Sequence, residues 1–192
     1  MPHVVHASML QAAFLGAIQG LTEFLPVSSS GHLVLLQQFM SLGHDDILFD
    51  LILHVGTLIP ILWFYRTDLL SIANDAIKGD TAFMERPGVR LLALLIVATI
   101  PTGIIGLLFE DLFEQLFANP SFLPFSFTIT GILLFSLRTL DEGTTDSRMM
   151  LFRHAFILGL AQGFAITPGI SRSGTTIAVA LILGLNRNFA AK

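Results

Sequence analysis

The sequence predicts an all-α integral membrane protein built as an inverted repeat, with two re-entrant helix-loop-helix hairpins and three full transmembrane spans. Hydrophobic residues make up 53% of the 192 residues and charged ones only 12%, against about a quarter charged in soluble domains. Three stretches, 47–65, 91–109 and 122–137, approach the roughly 20 apolar residues that cross a bilayer. Two further apolar stretches, 9–40 and 152–185, are each interrupted near the middle, by LPVSSSGH and by TPGISRSGTT.

Those interruptions predict the hairpins. Proline and glycine break a continuous helix there, and irregular backbone at membrane depth survives only inside protein or along a wet cavity. The alternative is a pair of ordinary spans joined by a surface turn. A shift of 143 residues aligns the two stretches without a gap. It pairs Ala12 with Ala155, Leu15 with Leu158, Gly16 with Gly159, Gln19 with Gln162 and Gly20 with Gly163. It also pairs Ser28 with Ser171, Ser30 with Ser173 and Gly31 with Gly174, eight identities in twenty positions. The chain therefore reads as one membrane domain over 1–192, with a first repeat over 8–137 and a second over 152–192.

Basic residues orient the spans. Arg66, Lys78, Arg86 and Arg90 follow the first span, Arg138, Arg148 and Arg153 the third, and Arg187 and Lys192 the second hairpin. SLGHDD and EDLFEQLFANP, on the other side, carry neither Lys nor Arg. Nine of the ten basic residues thus share one face, which the positive-inside rule makes cytoplasmic. Three crossings separate the hairpins, so the first inserts from outside and the second from inside. Repeats of opposite topology that meet at mid-membrane build binding sites between their halves.

The net charge of -4 and the lack of a basic run exclude nucleic acid as a partner. Cysteine is absent, which excludes disulfides and thiolate chemistry. The N-terminus has no Lys or Arg of a signal-peptide n-region and is expected to be mature protein.

Arg172, the tenth basic residue, falls in the second interruption, where a guanidinium is costly unless paired or facing a polar cavity. Its fork suits a phosphate or carboxylate; a structural ion pair with Glu23, or a turn that snorkels to the surface, is the other reading. Gly169, Ser171, Ser173, Gly174, Thr175 and Thr176 surround it at the expected start of a helix, where orphan N–H groups attract anions. A capped turn would use the same residues. Glu23 is the only acidic residue of the first hairpin, with Gln19 four residues before it on the same helical face. Together they suit a hard cation, Mg²⁺ or Ca²⁺, beside phosphate oxygens, or else Glu23 caps the SSSG turn or pairs with Arg172. His32 follows Ser28, Ser29 and Ser30 and is either a base or nucleophile or a hydrogen-bonded structural group. His54 and His154 are read as structural, and His3, His6 and His44 as exposed.

The segments QGLTEFLPVSSSGH and PGISRSGTT resemble the two signature motifs of the undecaprenyl-diphosphatase family, the bacitracin-resistance type. The first is similar to its Glu-or-Gln, three residues, Glu motif, and the second to PGxSRSxxT; HVGTL and ATIPTGIIGLLFEDL extend the likeness over nearly the whole chain. The resemblance implies hydrolysis of a C55 isoprenyl diphosphate to its monophosphate in the bacterial plasma membrane, which recycles the carrier lipid of peptidoglycan synthesis. By motif position it implies Gln19 and Glu23 as the metal pair, with Ser29 and His32 as candidates for nucleophile or base. Arg172 would hold the diphosphate, aided by Ser28, Ser30, Ser171, Ser173 and Thr176. Position 19 carries the Gln variant, which leaves one negative charge fewer for a cation. Family members are longer, so the resemblance implies a C-terminally truncated chain whose second repeat lacks its spans. The expected partners are a polyprenyl diphosphate and membrane lipid; a homo-oligomer is compatible with the sequence and not specified by it. A lipid-phosphate carrier without hydrolysis is the alternative function, and a bare scaffold would leave Arg172 without a purpose.

Overall fold

The computed structural model describes residues 8–42, 47–77, 85–140, 143–146 and 149–191. Within them the regular elements are helices, apart from one isolated bridge between Thr145 and Leu185. His3, His6 and His44 lie outside the described residues, as do Lys78, Arg148 and Lys192 of the basic set.

Both interrupted stretches break where their Pro and Gly clusters require. The first forms α1 (Met9–Thr22) and α2 (Ser29–Phe39). Ser8 opens α1 with a capping box, its hydroxyl accepting from the Gln11 amide while the Gln11 side chain accepts from the Ser8 amide. The first long apolar stretch forms α3 (Ile47–Phe64), and the chain then bends by 71° into α4 (Arg66–Ile77). This helix occupies the segment that follows the first span. RTDLLSIANDAI holds no proline or glycine to stop it, and the Arg66 guanidinium closes the end of α3 by donating to the Trp63 carbonyl at 2.6 Å.

α5 (Pro87–Leu108) and α6 (Glu110–Ala118) follow; Glu110 and Asp111 in the first turn of α6 complement its dipole. Then come α7 (Leu123–Ser136), flanked by 3₁₀ turns, α8 (Phe152–Phe164), α9 (Arg172–Ile182) and the short α10 (Arg187–Ala190). Two helical segments, Pro87–Leu108 and Pro120–Thr139, are long and apolar enough to cross a membrane, and a third if α3 and its bent continuation count as one. The hairpin arms are shorter. At 1.5 Å per residue, the 14 residues of α1 and the 11 of α9 reach about 21 and 17 Å.

The surface is apolar. Leu51, Ile52, Ile59 and Trp63 of α3 and Leu95, Ile96, Ile100 and Leu107 of α5 are all more than half exposed, an arrangement stable in lipid and prone to aggregation in water. Among the described residues the buried apolar clusters are small, one around Leu94, Met150 and Ala180 and one around Leu15, Leu33 and Leu42, and Leu123, Ser126 and Thr130 of α7 are buried as well. α8 seats on α5 through small residues, as membrane helices do in the absence of a hydrophobic drive between them. A Cβ on Gly159 would stand 2.0 Å from the Ala98 carbonyl oxygen, and one on Gly163 2.6 Å from Ile105. Thr102 locks the same contact by donating to the Gly159 carbonyl at 2.8 Å.

The repeat-mates of these glycines are not packed alike. A Cβ on Gly16 would meet only Leu53, at 3.6 Å, and one on Gly20 nothing within 4 Å. Gly159→Ala is therefore expected to destabilise by about 1–3 kcal/mol through overpacking, whereas Gly16→Ala stays neutral or gains up to about 1 kcal/mol of helix propensity. Thermal unfolding in detergent reads the difference; an equal loss in both variants would contradict the unequal packing.

Candidate active site

The tips of the two hairpins touch backbone to backbone. A Cβ on Gly31 would lie 2.7 Å from the Gly169 Cα, and one on Gly174 would lie 3.2 Å from the Pro26 carbonyl oxygen. Positions 26 and 169, like 31 and 174, differ by the repeat offset of 143, so each tip uses its glycine to receive the same point of the other. The helix starts match as well. Ser28 accepts from the Gly31 amide at 3.3 Å and Ser171 from the Gly174 amide at 3.0 Å, each an N-cap. Ser28 does so at φ 66, in the left-handed region that non-glycine residues rarely occupy. Gly169 has φ +85 and could not carry a side chain, since Ser126 Cβ stands 2.6 Å from where its Cβ would be.

Buried Thr130 of α7 clamps the second tip. Its hydroxyl donates to the Gly169 carbonyl at 3.0 Å and accepts from the Ser171 amide at 3.1 Å. The sequence reading passed over it, because a lone threonine in FSFTITG gives no local sign of a partner 39 residues away.

Between the tips lies a small cavity of about 40 Å³. From the first hairpin it is lined by Glu23, Ser28, Ser29 and Ser30, and from the second by Ser171, Arg172 and Ser173. The Glu23 carboxylate accepts from the Ser29 hydroxyl and, at 2.9 Å, from the side-chain amide of fully buried Gln19. Arg172 is exposed into the cavity, and no carboxylate pairs with its guanidinium among the described residues. The ion pair with Glu23 raised as an alternative from sequence is thus not formed. A guanidinium and a carboxylate face one space, with hydroxyls around them.

Two expected site residues stand differently. His32 is not among the cavity's lining; its Nδ1 lies 2.8 Å from the Ser28 carbonyl and its ring packs edge-on against Phe127. The Thr176 hydroxyl donates back to the Arg172 and Ser173 carbonyls of its own helix. His54, read from sequence as structural and without polar company, has such company in space. Its Nε2 stands 4.0 Å from the Glu23 carboxylate, and together with Glu23 and Arg172 it lines a second, more open cavity of about 260 Å³. Its company is spatial, because α3 packs beside α1. An ionisable residue in the middle of an apolar span was the signal that could have found it.

Among the described residues no three of His, Asp and Glu form a metal cage. Glu23 and Gln19 still fit a hard cation. The Gln19 Oε1 is buried without a partner, and turning the amide over exchanges Oε1 with Nε2, which sets that orphaned oxygen beside the carboxylate as a second oxygen ligand.

Residues 12–192 match the family described as Bacitracin resistance protein BacA. An undecaprenyl-diphosphatase of Carboxydothermus hydrogenoformans is 47% identical over 182 residues, covering 95% of this chain and 66% of the relative. One from Halothermothrix orenii is 44% identical, covering 96% and 68%, and one from Methanobrevibacter smithii 41% identical, covering 96% and 70%. The chain spans about two thirds of the length of these relatives. With the family matched over nearly all its residues, the chain belongs to the bacitracin resistance protein BacA family.

Proposed function

We propose that this chain hydrolyses undecaprenyl diphosphate to undecaprenyl phosphate and inorganic phosphate, the substrate and reaction carried in the names of its relatives. Recycling of the lipid carrier for cell-wall synthesis follows from that reaction, as does resistance to bacitracin. An unpaired guanidinium and a carboxylate in one cavity, each from a different hairpin, carry the reading.

The protein lies in the bacterial plasma membrane, with α3, α5 and α7 crossing and the basic segments in the cytoplasm. Both hairpins re-enter from opposite sides; their arms, about 17–21 Å long, fall short of a hydrocarbon core of roughly 30 Å. The tips then meet at mid-membrane, where the lipid's diphosphate can reach them while its chain stays in the bilayer.

Arg172 holds the diphosphate through its fork, and its charge offsets what develops on the departing phosphate. Hydroxyls of Ser28, Ser30, Ser171 and Ser173 donate to phosphate oxygens. Glu23 accepts the proton of the attacking oxygen, and Ser29, which donates to it, holds the carboxylate in place. Glu23 and Gln19 would hold Mg²⁺ or Ca²⁺, which supplies Lewis-acid polarisation of a phosphate oxygen when bound.

Arg172→Ala is expected to lower phosphate release from a C55 diphosphate in detergent by about 100-fold or more. Arg172→Lys recovers only part of it, since the fork is lost. Glu23→Gln should cost about 100- to 10,000-fold in kcat. Unchanged turnover in the Arg172 and Glu23 variants would overturn the assignment. Lipid head-group movement in sealed vesicles without phosphate release would make the protein a carrier instead. EDTA should stop the reaction and Mg²⁺ or Ca²⁺ restore it; activity that persists in EDTA would remove the metal.

A further inference from the structure

We propose that His54 is a positioning residue for the hydrolytic water, holding one of its protons while Glu23 holds the other; this rests on the phosphatase reading above. His54 Nδ1 lies 2.8 Å from the Asp50 backbone carbonyl. A carbonyl oxygen only accepts, so Nδ1 carries a proton; the tautomer protonated there alone presents a lone pair at Nε2. That lone pair stands 4.0 Å from the Glu23 Oε2. The two atoms face each other across a gap too wide for a direct hydrogen bond, and Oε2 also accepts from Ser29 and Gln19.

A single water fits that gap. Two hydrogen bonds of about 2.7 Å that meet at a water at about 95–105° span about 4.0–4.3 Å. With both O–H groups directed at His54 and Glu23, the water's lone pairs turn away from them. Arg172 lines the same cavity with the two acceptors, so a diphosphate on Arg172 lies where those lone pairs can reach.

The step balances. The water oxygen bonds to the terminal phosphorus as the bond from that phosphorus to the bridging oxygen breaks, and the electron pair leaves on the lipid monophosphate. One proton passes to the Glu23 carboxylate; the other remains on the released phosphate, steered by Nε2 until the bond forms.

The imidazole is held in place from both ends of its helical turn. Buried Gln37 of α2 donates to the Asp50 carboxylate at 2.6 Å, anchoring the start of α3, and Thr57 donates to the His54 carbonyl at 2.7 Å. Its side chain is 28% exposed, so replacing it empties no core.

The test compares the unaltered protein with His54→Phe, which fills the space without an acceptor, and His54→Gln, whose amide oxygen can accept; His54→Ala covers a failure of the phenylalanine to fit. Phosphate release from a C55 diphosphate gives kcat and KM, and thermal unfolding in detergent identifies folded variants. Expected is a fall in kcat of about 10- to 100-fold for Phe and Ala, little change in KM, and recovery of most of the rate by Gln. Parental kcat in His54→Phe or His54→Ala would overturn the proposal, as would a folded His54→Gln no faster than His54→Ala. Were the unaltered protein to release no phosphate, the phosphatase reading would fall first and this with it.

Discussion

Close approach of the two hairpin tips is the constraint on which the site depends. Gly31 against Gly169 and Gly174 against Pro26 bring the backbones nearer than any side chain would allow. Only then do Glu23, at the end of α1, and Arg172, at the start of α9, share a cavity. The same glycines stand next to the serines that cap α2 and α9. One short motif thus ends a loop, starts a helix and admits the opposite loop.

The mid-membrane placement proposed above shapes the electrostatics. In such surroundings an unpaired cation is expensive, and an anion that pairs with it recovers much of that cost. The first hairpin commits its own carboxylate to Ser29 and Gln19, which leaves the Arg172 charge for a ligand. Had Glu23 reached across to Arg172, the two would have neutralised each other and the cavity would have held no net attraction for phosphate.

Much of this architecture is legible in the sequence because proline, glycine and charge are strongly constrained in lipid. LPVSSSGH and TPGISRSGTT locate both helix breaks, the offset of 143 foretells the matched caps, and Arg172 is conspicuous as an isolated charge. The helix α4 is not legible as such, since RTDLLSIANDAI reads as a polar segment whose tertiary setting decides its form. His54 and Thr130 escape for a related reason. Each acts on a group more than 30 residues away in the chain, and nothing in their immediate neighbours marks the encounter. His32 illustrates the converse, being close to the serines in sequence and turned toward Phe127 in space.

The unequal fates of the two glycine pairs give the site an uneven mechanical character. α8 is wedged against α5 at Gly159 and Gly163, while α1 at Gly16 and Gly20 has open flanks. Arg172 accordingly follows a helix seated without clearance, whereas Glu23 ends one whose small residues leave room beside them. The two charges that face the cavity are thus framed by unequal packing, tight on the guanidinium side and loose on the carboxylate side.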